Sequence, residues 1–170
     1  MGQLLFVIAL LFNIYLGTVR LGKERISNQM EIAFRNNDFQ KVNELNRTSH
    51  HILYNMSPVG TPTAFYQGMI ALSENQYAQA IVHFEKAEKS NPGFLANYIN
   101  AGVAHYYSGS FDTAMTQYEI AVKIAPNNPD LNYNLALLYI ALDDFESAKE
   151  CISRLPDIDE RKHRVLEKLQ

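Results

Sequence analysis

The sequence predicts an all-α fold: an array of helix-turn-helix repeats preceded by one transmembrane helix. A recurrence supports the array, because small residues, aromatics and prolines return every 34 residues from Thr61 to Pro156. An uncharged N-terminal run, Gln3 to Val19, supports the membrane helix. Composition agrees: 170 residues, 47% hydrophobic and 19% charged, suffice for one helical array with a continuous core and are too few for several unrelated domains.

The first element is the anchor, residues 1–21. "QLLFVIALLFNIYLGTV" would reach about 26 Å as a helix at ~1.5 Å per residue, slightly short of the roughly 30 Å hydrocarbon core, and extends to Leu21. No basic residue precedes it, and "IYLGT" has bulky residues where a signal peptidase needs small ones, so an uncleaved anchor is expected. Arg20, Lys23 and Arg25 follow at once, which places the rest of the chain in the cytoplasm by the positive-inside rule. The opposite topology would give meaning to the sequons "NRT" at Asn46 and "NMS" at Asn55. Asn13 is the odd residue within the anchor. It is expected to contact another membrane helix, or else to lie near an interface in a shifted span.

Residues 22–57 form the second element, a helical pair that reads as a degenerate repeat or N-terminal cap. Ile26, Met30, Ala33, Phe34, Val42, Leu45 and Ile52 fall on apolar faces, and "RNNDF" splits the stretch in two. "SPVGTP", Ser57 to Pro62, then interrupts the helix with two prolines and a glycine.

The third element, residues 58–156, carries the recurrence. Tyr77, Ala80, Phe84, Ala87 and Pro92 match Phe111, Ala114, Tyr118, Ala121 and Pro126, and Phe145, Ala148, Ile152 and Leu155 continue the series. Gly68, Gly102 and Ala136 are the small residues of the segments before them. Alanine and glycine let a second helix backbone approach closely, and the aromatic fills the space beside it. This period and pattern resemble the tetratricopeptide repeat, a helix-turn-helix unit that stacks into a superhelix. The repeats lie at about 61–94, 95–128 and 129–156. The last element, 157–170, opens with Asp157 as the expected N-cap. It reads as an amphipathic capping helix with Val165 and Leu166 inward, its Arg161, Lys162 and Arg164 on a solvated face or against an anionic partner.

In the family it resembles, the first helix of each repeat lines a concave groove. The resemblance assigns a protein-binding groove to Phe65, Met69 and Leu72, to Ile99, Asn100, Val103, Tyr106 and Tyr107, and to Tyr133, Asn134 and Leu137. Members that clamp a chaperone's terminal carboxylate place Lys or Arg beside asparagines there. Asn100 and Asn134 match the asparagine type, but Phe65, Met69 and Asp130 stand where clamp residues belong, so that specificity is not expected. The groove is apolar and aromatic and suits a hydrophobic peptide or helix.

No constellation for chemistry is present. His50 and His51 diverge on a helix, His83 and His105 match no metal-ligand spacing, and neither a phosphate loop nor a nucleophile elbow occurs. Asp143 and Asp144 sit in a turn, where Asp favours local hydrogen bonds. The single cysteine, Cys151, excludes a disulfide framework and reads as a buried inert thiol. A net charge of -3 argues against nucleic acid, although residues 58–156 hold five Lys/Arg against ten Asp/Glu. No catalytic residue, cofactor, metal or small-molecule substrate is expected. The sequence thus describes a single-pass membrane adaptor that binds proteins, its layout resembling bacterial inner-membrane scaffolds that assemble or regulate membrane complexes. A permanent subunit of such a complex and an extracytoplasmic assembly factor are the alternatives.

Overall fold

The structure, a computed structural model, describes residues 2–36, 38–49 and 61–169; the side chains of 2–13, 16, 19, 23, 48, 49 and 168 fall outside that description. Among the described residues there are nine helices, in two compact units, Met1–Tyr66 and Gln67–Gln170.

In the first unit α1 (Gly2–Arg35) runs unbroken through the division expected after residue 21. Gly22 costs a helix only ~1 kcal/mol, and the ion pair between Arg20 Nε and Glu24 Oε1, 3.1 Å apart, bridges it on the same face. Among the described residues no helix is long and apolar enough to cross a membrane. Most side chains of the expected span, that of Asn13 included, lie outside the described residues. The chain breaks at "RNNDF" as the sequence indicates. The amide of Asp38 donates to Ala33 O at 2.9 Å, and Asp38 Oδ1 then caps α2 (Phe39–Ser49) by accepting from the amide of Lys41. Met30, Ala33, Val42 and Leu45 are buried, Ile26 and Phe34 are half-buried, and Ile52 lies outside the described residues.

Phe65 and Tyr66 complete this core. Their rings stand 6.0 and 5.4 Å from that of Phe34, and the Tyr66 hydroxyl donates to Glu31 Oε2 at 2.8 Å. Phe65 was expected in the groove; only 4% of it is exposed, because an aromatic cluster removes its ring from water more completely than an open surface does. α3 (Thr63–Ser73) begins in the first unit and continues into the second.

The second unit repeats one helix pair. α4 (Tyr77–Ser90), α6 (Phe111–Ile124) and α8 (Phe145–Ser153) each follow a partner helix, namely α3, α5 (Leu95–Tyr107) and α7 (Pro129–Ala141). The three tight turns are the same. Gln76, Ser110 and Asp144 donate their amides to Ala71, His105 and Tyr139 at 2.8–2.9 Å, and the residue before each, Asn75, Gly109 or Asp143, has a φ of 59, 78 or 60°. Glycine, asparagine and aspartate are the residues that adopt this left-handed conformation at least cost. The small residues seat the rings: a Cβ added to Gly68 would lie 2.5 Å from the Phe84 ring, and one added to Gly102 would lie 2.2 Å from that of Tyr118. Ala80, Ala87, Ala114, Ala121 and Ala148 are fully buried, as a close helix pair requires.

The links from one pair to the next are also tied down. The Tyr98 hydroxyl donates to Pro92 O at 2.7 Å, and Asn132 Nδ2 donates to Pro126 O at 2.9 Å, so side chains four residues into α5 and α7 fix the start of each helix. α9 (Glu160–Lys168) closes the array against α7 and α8. Its cap is Asp159, whose side chain accepts from the amide of Arg161, two residues beyond the expected Asp157; the latter pairs with Lys162 Nζ at 2.6 Å. Val165 is buried, whereas Leu166 is partly exposed.

Candidate functional site

Because α5 and α7 pack side by side one period apart, equal positions of successive repeats become neighbours. Ile99 and Asn100 thereby meet Tyr133 and Asn134 around a cavity of 330 Å³, whose wall is completed by Leu95 and Ala96 of α5, Asn128 and Asp130 at the start of α7, and Arg161 of α9. Four of the predicted groove residues are thus brought together. Ile99 is 7% exposed and forms part of the floor, while Asn100, Tyr133 and Asn134 are half-buried at the opening.

The other predicted residues are distributed differently. Val103, Leu137, Met69 and Leu72 are half-buried on the same series of helices but do not line the cavity. Tyr106 and Tyr107 belong to an aromatic cluster at the C-terminal end of α5. There Tyr107 stacks on Tyr77 with ring centres 5.5 Å apart, and Tyr106 meets Tyr107 edge-on and Phe111 at a tilt. Tyr107 remains 57% exposed. Burial raises the pKa of Tyr106, so its hydroxyl stays protonated and available as a donor.

Polar groups in the cavity are largely committed. Asn128 Oδ1 accepts from the amide of Leu131 at 3.0 Å and caps α7; Asn100 Nδ2 donates to Ala96 O of its own helix at 2.8 Å. Arg161 lies with its guanidinium carbon 5.0 Å from the centre of the Tyr133 ring. Its Nη1 donates to Asp130 Oδ1 at 2.7 Å, while its Nε and Nη2 donate to Asp159. The bond from Arg161 holds the Asp159 carboxyl below the usual carboxylate range, and the bonds to Asp159 and then Asp130 push the guanidinium pKa up. Sequence reasoning placed Arg161 on the capping helix without assigning it to the groove. The available signal was the spacing from Pro156, which makes α9 the next helix after α7 along the same face.

A second cavity, of 340 Å³, opens on a different face of α7 between α6 and α8, with Leu135, Tyr139 and Cys151 among its lining. Cys151 is 5% exposed and burial pushes its thiol pKa up, which keeps it protonated and poorly nucleophilic. Burial lowers the pKa of His83 and of His105, and among the described residues the buried Nδ1 of each has no hydrogen-bond partner. Among the described residues no group of three or more His, Cys, Asp or Glu is placed to hold a metal ion.

Comparisons with known proteins agree with this architecture. Two family models, both described as tetratricopeptide repeat, match residues 65–129 and 105–169. Intraflagellar transport protein 70A of Danio rerio is 27% identical over 100 residues, which are 59% of this chain and only 15% of that protein. Among solved structures, the Cut9–Hcn1 heterotetramer of the APC/C superposes with a TM-score of 0.75 at 16% identity, covering 85% of this chain and 29% of the other. The first such domain of Spaghetti (RPAP3), bound to the HSP90 peptide SRMEEVD, gives a TM-score of 0.59 at 19% identity, covering 62% and 86%.

Proposed function

Since the chain belongs to the tetratricopeptide repeat family, we propose that it is a non-catalytic adaptor whose groove along α5 and α7 holds an apolar peptide or helix of a partner protein. The observation that carries this reading is the cavity in which Ile99 and Asn100 of one repeat face Tyr133 and Asn134 of the next. An aliphatic floor and a tyrosine wall supply contact area at small entropic cost, and the asparagines supply hydrogen bonds to a peptide backbone. A neighbour of the same fold described with a bound peptide supports a peptide as the form of the ligand. The test is a photo-crosslinking amino acid placed at Asn134, with Lys149 of α8 as the control site. Crosslinking of one partner from Asn134 alone is expected; equal crosslinking from Lys149, or none from Asn134, removes the groove.

The same proposal gives the chain an N-terminal membrane anchor, repeats on the cytoplasmic side and a part in assembling or regulating a membrane-associated complex. Its support is the uncharged run Gln3 to Val19 followed by Arg20, Lys23 and Arg25. A reporter fused after Gln170 is expected to be active only in the cytoplasm, with the full chain in the membrane fraction. Activity across the membrane, or glycans on Asn46 and Asn55 in a eukaryotic host, would reverse the orientation. Recovery of the chain in the soluble fraction would remove the anchor.

A further inference from the structure

The cavity between α5 and α7 already receives one guanidinium, and it comes from the chain itself. A carboxylate and an aromatic face are the two groups that recognise a guanidinium best. Asp130 and Tyr133 are so placed that Arg161 touches both, at 2.7 Å from the carboxylate and 5.0 Å from the ring centre. The hold on Arg161 is shared, because Asp159 takes two of its nitrogens within α9. The Asp130 side chain is still 66% exposed, and among the described residues its Oδ2 accepts no hydrogen bond.

The remaining polar groups favour the same class of ligand. Asn100 has committed one of its two amide N–H groups to Ala96 O and keeps its carbonyl oxygen as an acceptor. Among the described residues Arg161 is the cavity's one cation, and two carboxylates already neutralise it. An incoming carboxylate would find no uncommitted cation and would face Asp130, whereas an incoming cation finds acceptors. The surrounding repeat block has the complementary sign, with ten acidic against five basic residues over 58–156.

We infer that the cavity is a guanidinium site: the partner segment presents an arginine to Asp130 and Tyr133, and Arg161 is the resident competitor that it displaces. This rests on the groove reading above and names the chemistry of the side chain the groove selects. Displacement is mild, since Arg161 keeps both bonds to Asp159, and an exposed ion pair of the kind it gives up contributes ~1 kcal/mol or less.

The experiment titrates the full-length chain with N-acetyl-arginine amide, following the backbone NMR signals of Asn100 and Tyr133. N-acetyl-citrulline amide serves as the uncharged isostere and sodium acetate as the carboxylate probe. Saturable shifts are expected from the arginine probe alone. Asp130→Asn should abolish them, and Arg161→Gln should tighten binding about fivefold, the equivalent of the ion pair removed. Arg161→Gln leaves the α9 cap in place, because Asp159 accepts from the backbone amide there. Equal shifts from citrulline, shifts from acetate, no shift from arginine, or weaker arginine binding by Arg161→Gln would each overturn the assignment. Should the titration fail while crosslinking from Asn134 persists, the groove stands and the guanidinium class falls. Loss of both removes the groove itself.

Discussion

Gly102→Ala is expected to destabilise the repeat unit by about 1–3 kcal/mol, as overpacking of a core does, although alanine is intrinsically the better helix former by ~1 kcal/mol. The reason is contact. The added Cβ would lie 2.2 Å from a ring carbon of Tyr118, and that ring is 1% exposed, with no open side towards which to yield. Removing the ring costs more: Tyr118→Ala is expected to lose ~3–5 kcal/mol, the range for truncating a buried aromatic. The chain contains its own solution to the clash, for in the next repeat these positions are Ala136 and Ile152, both fully buried. The double variant Gly102→Ala/Tyr118→Ile should therefore be more stable than the sum of its single changes predicts, with a coupling of ~0.5–3 kcal/mol. Urea unfolding followed by circular dichroism of the native protein, Gly102→Ala, Tyr118→Ile and the double variant measures the coupling, with Tyr118→Ala beside them. A higher midpoint for Gly102→Ala, or strict additivity in the double variant, would show that the ring and the glycine are not matched.

Tyr133→Ala should weaken partner binding by ~2 kcal/mol or more, about thirtyfold in affinity, because it removes the aromatic wall at the centre of the cavity. Tyr133→Phe should bind within a few fold of the native protein, since the ring and not the hydroxyl faces Arg161. The side chain is only half-buried, so the helical signal should be unchanged in both. Tyr107→Ala should cost less, because Tyr107 is exposed, stacks on Tyr77 and lies away from the cavity. Affinity for the crosslinked partner, measured by fluorescence anisotropy, checks the order. Equal losses at Tyr107 and Tyr133 would move the binding surface to the end of α5, and no loss at Tyr133 would take the cavity out of the interface.

What the amino-acid order made legible is everything that follows from periodicity. The 34-residue return of alanines, rings and prolines gave the helix pairs and the position of their turns. The family resemblance that this pattern carries put Ile99, Asn100, Tyr133 and Asn134 on one groove, and equal positions of stacked repeats do become neighbours. Local chemistry likewise announced the break at "RNNDF", where Asp38 caps the helix that follows. Periodicity is blind to packing between unlike segments. Phe65 occupies a groove position in the repeat pattern, yet the ring of Phe34, far away in the chain, draws it into a core. α1 also runs unbroken through Gly22, where the ion pair between Arg20 and Glu24 offsets part of the glycine's cost. Arg161, 31 residues from Asp130, enters the cavity only because α9 docks on α7. Each of these rests on contacts between residues that no repeat relates, where burial and charge pairing outweigh local propensity, and so they became visible only once the chain was folded.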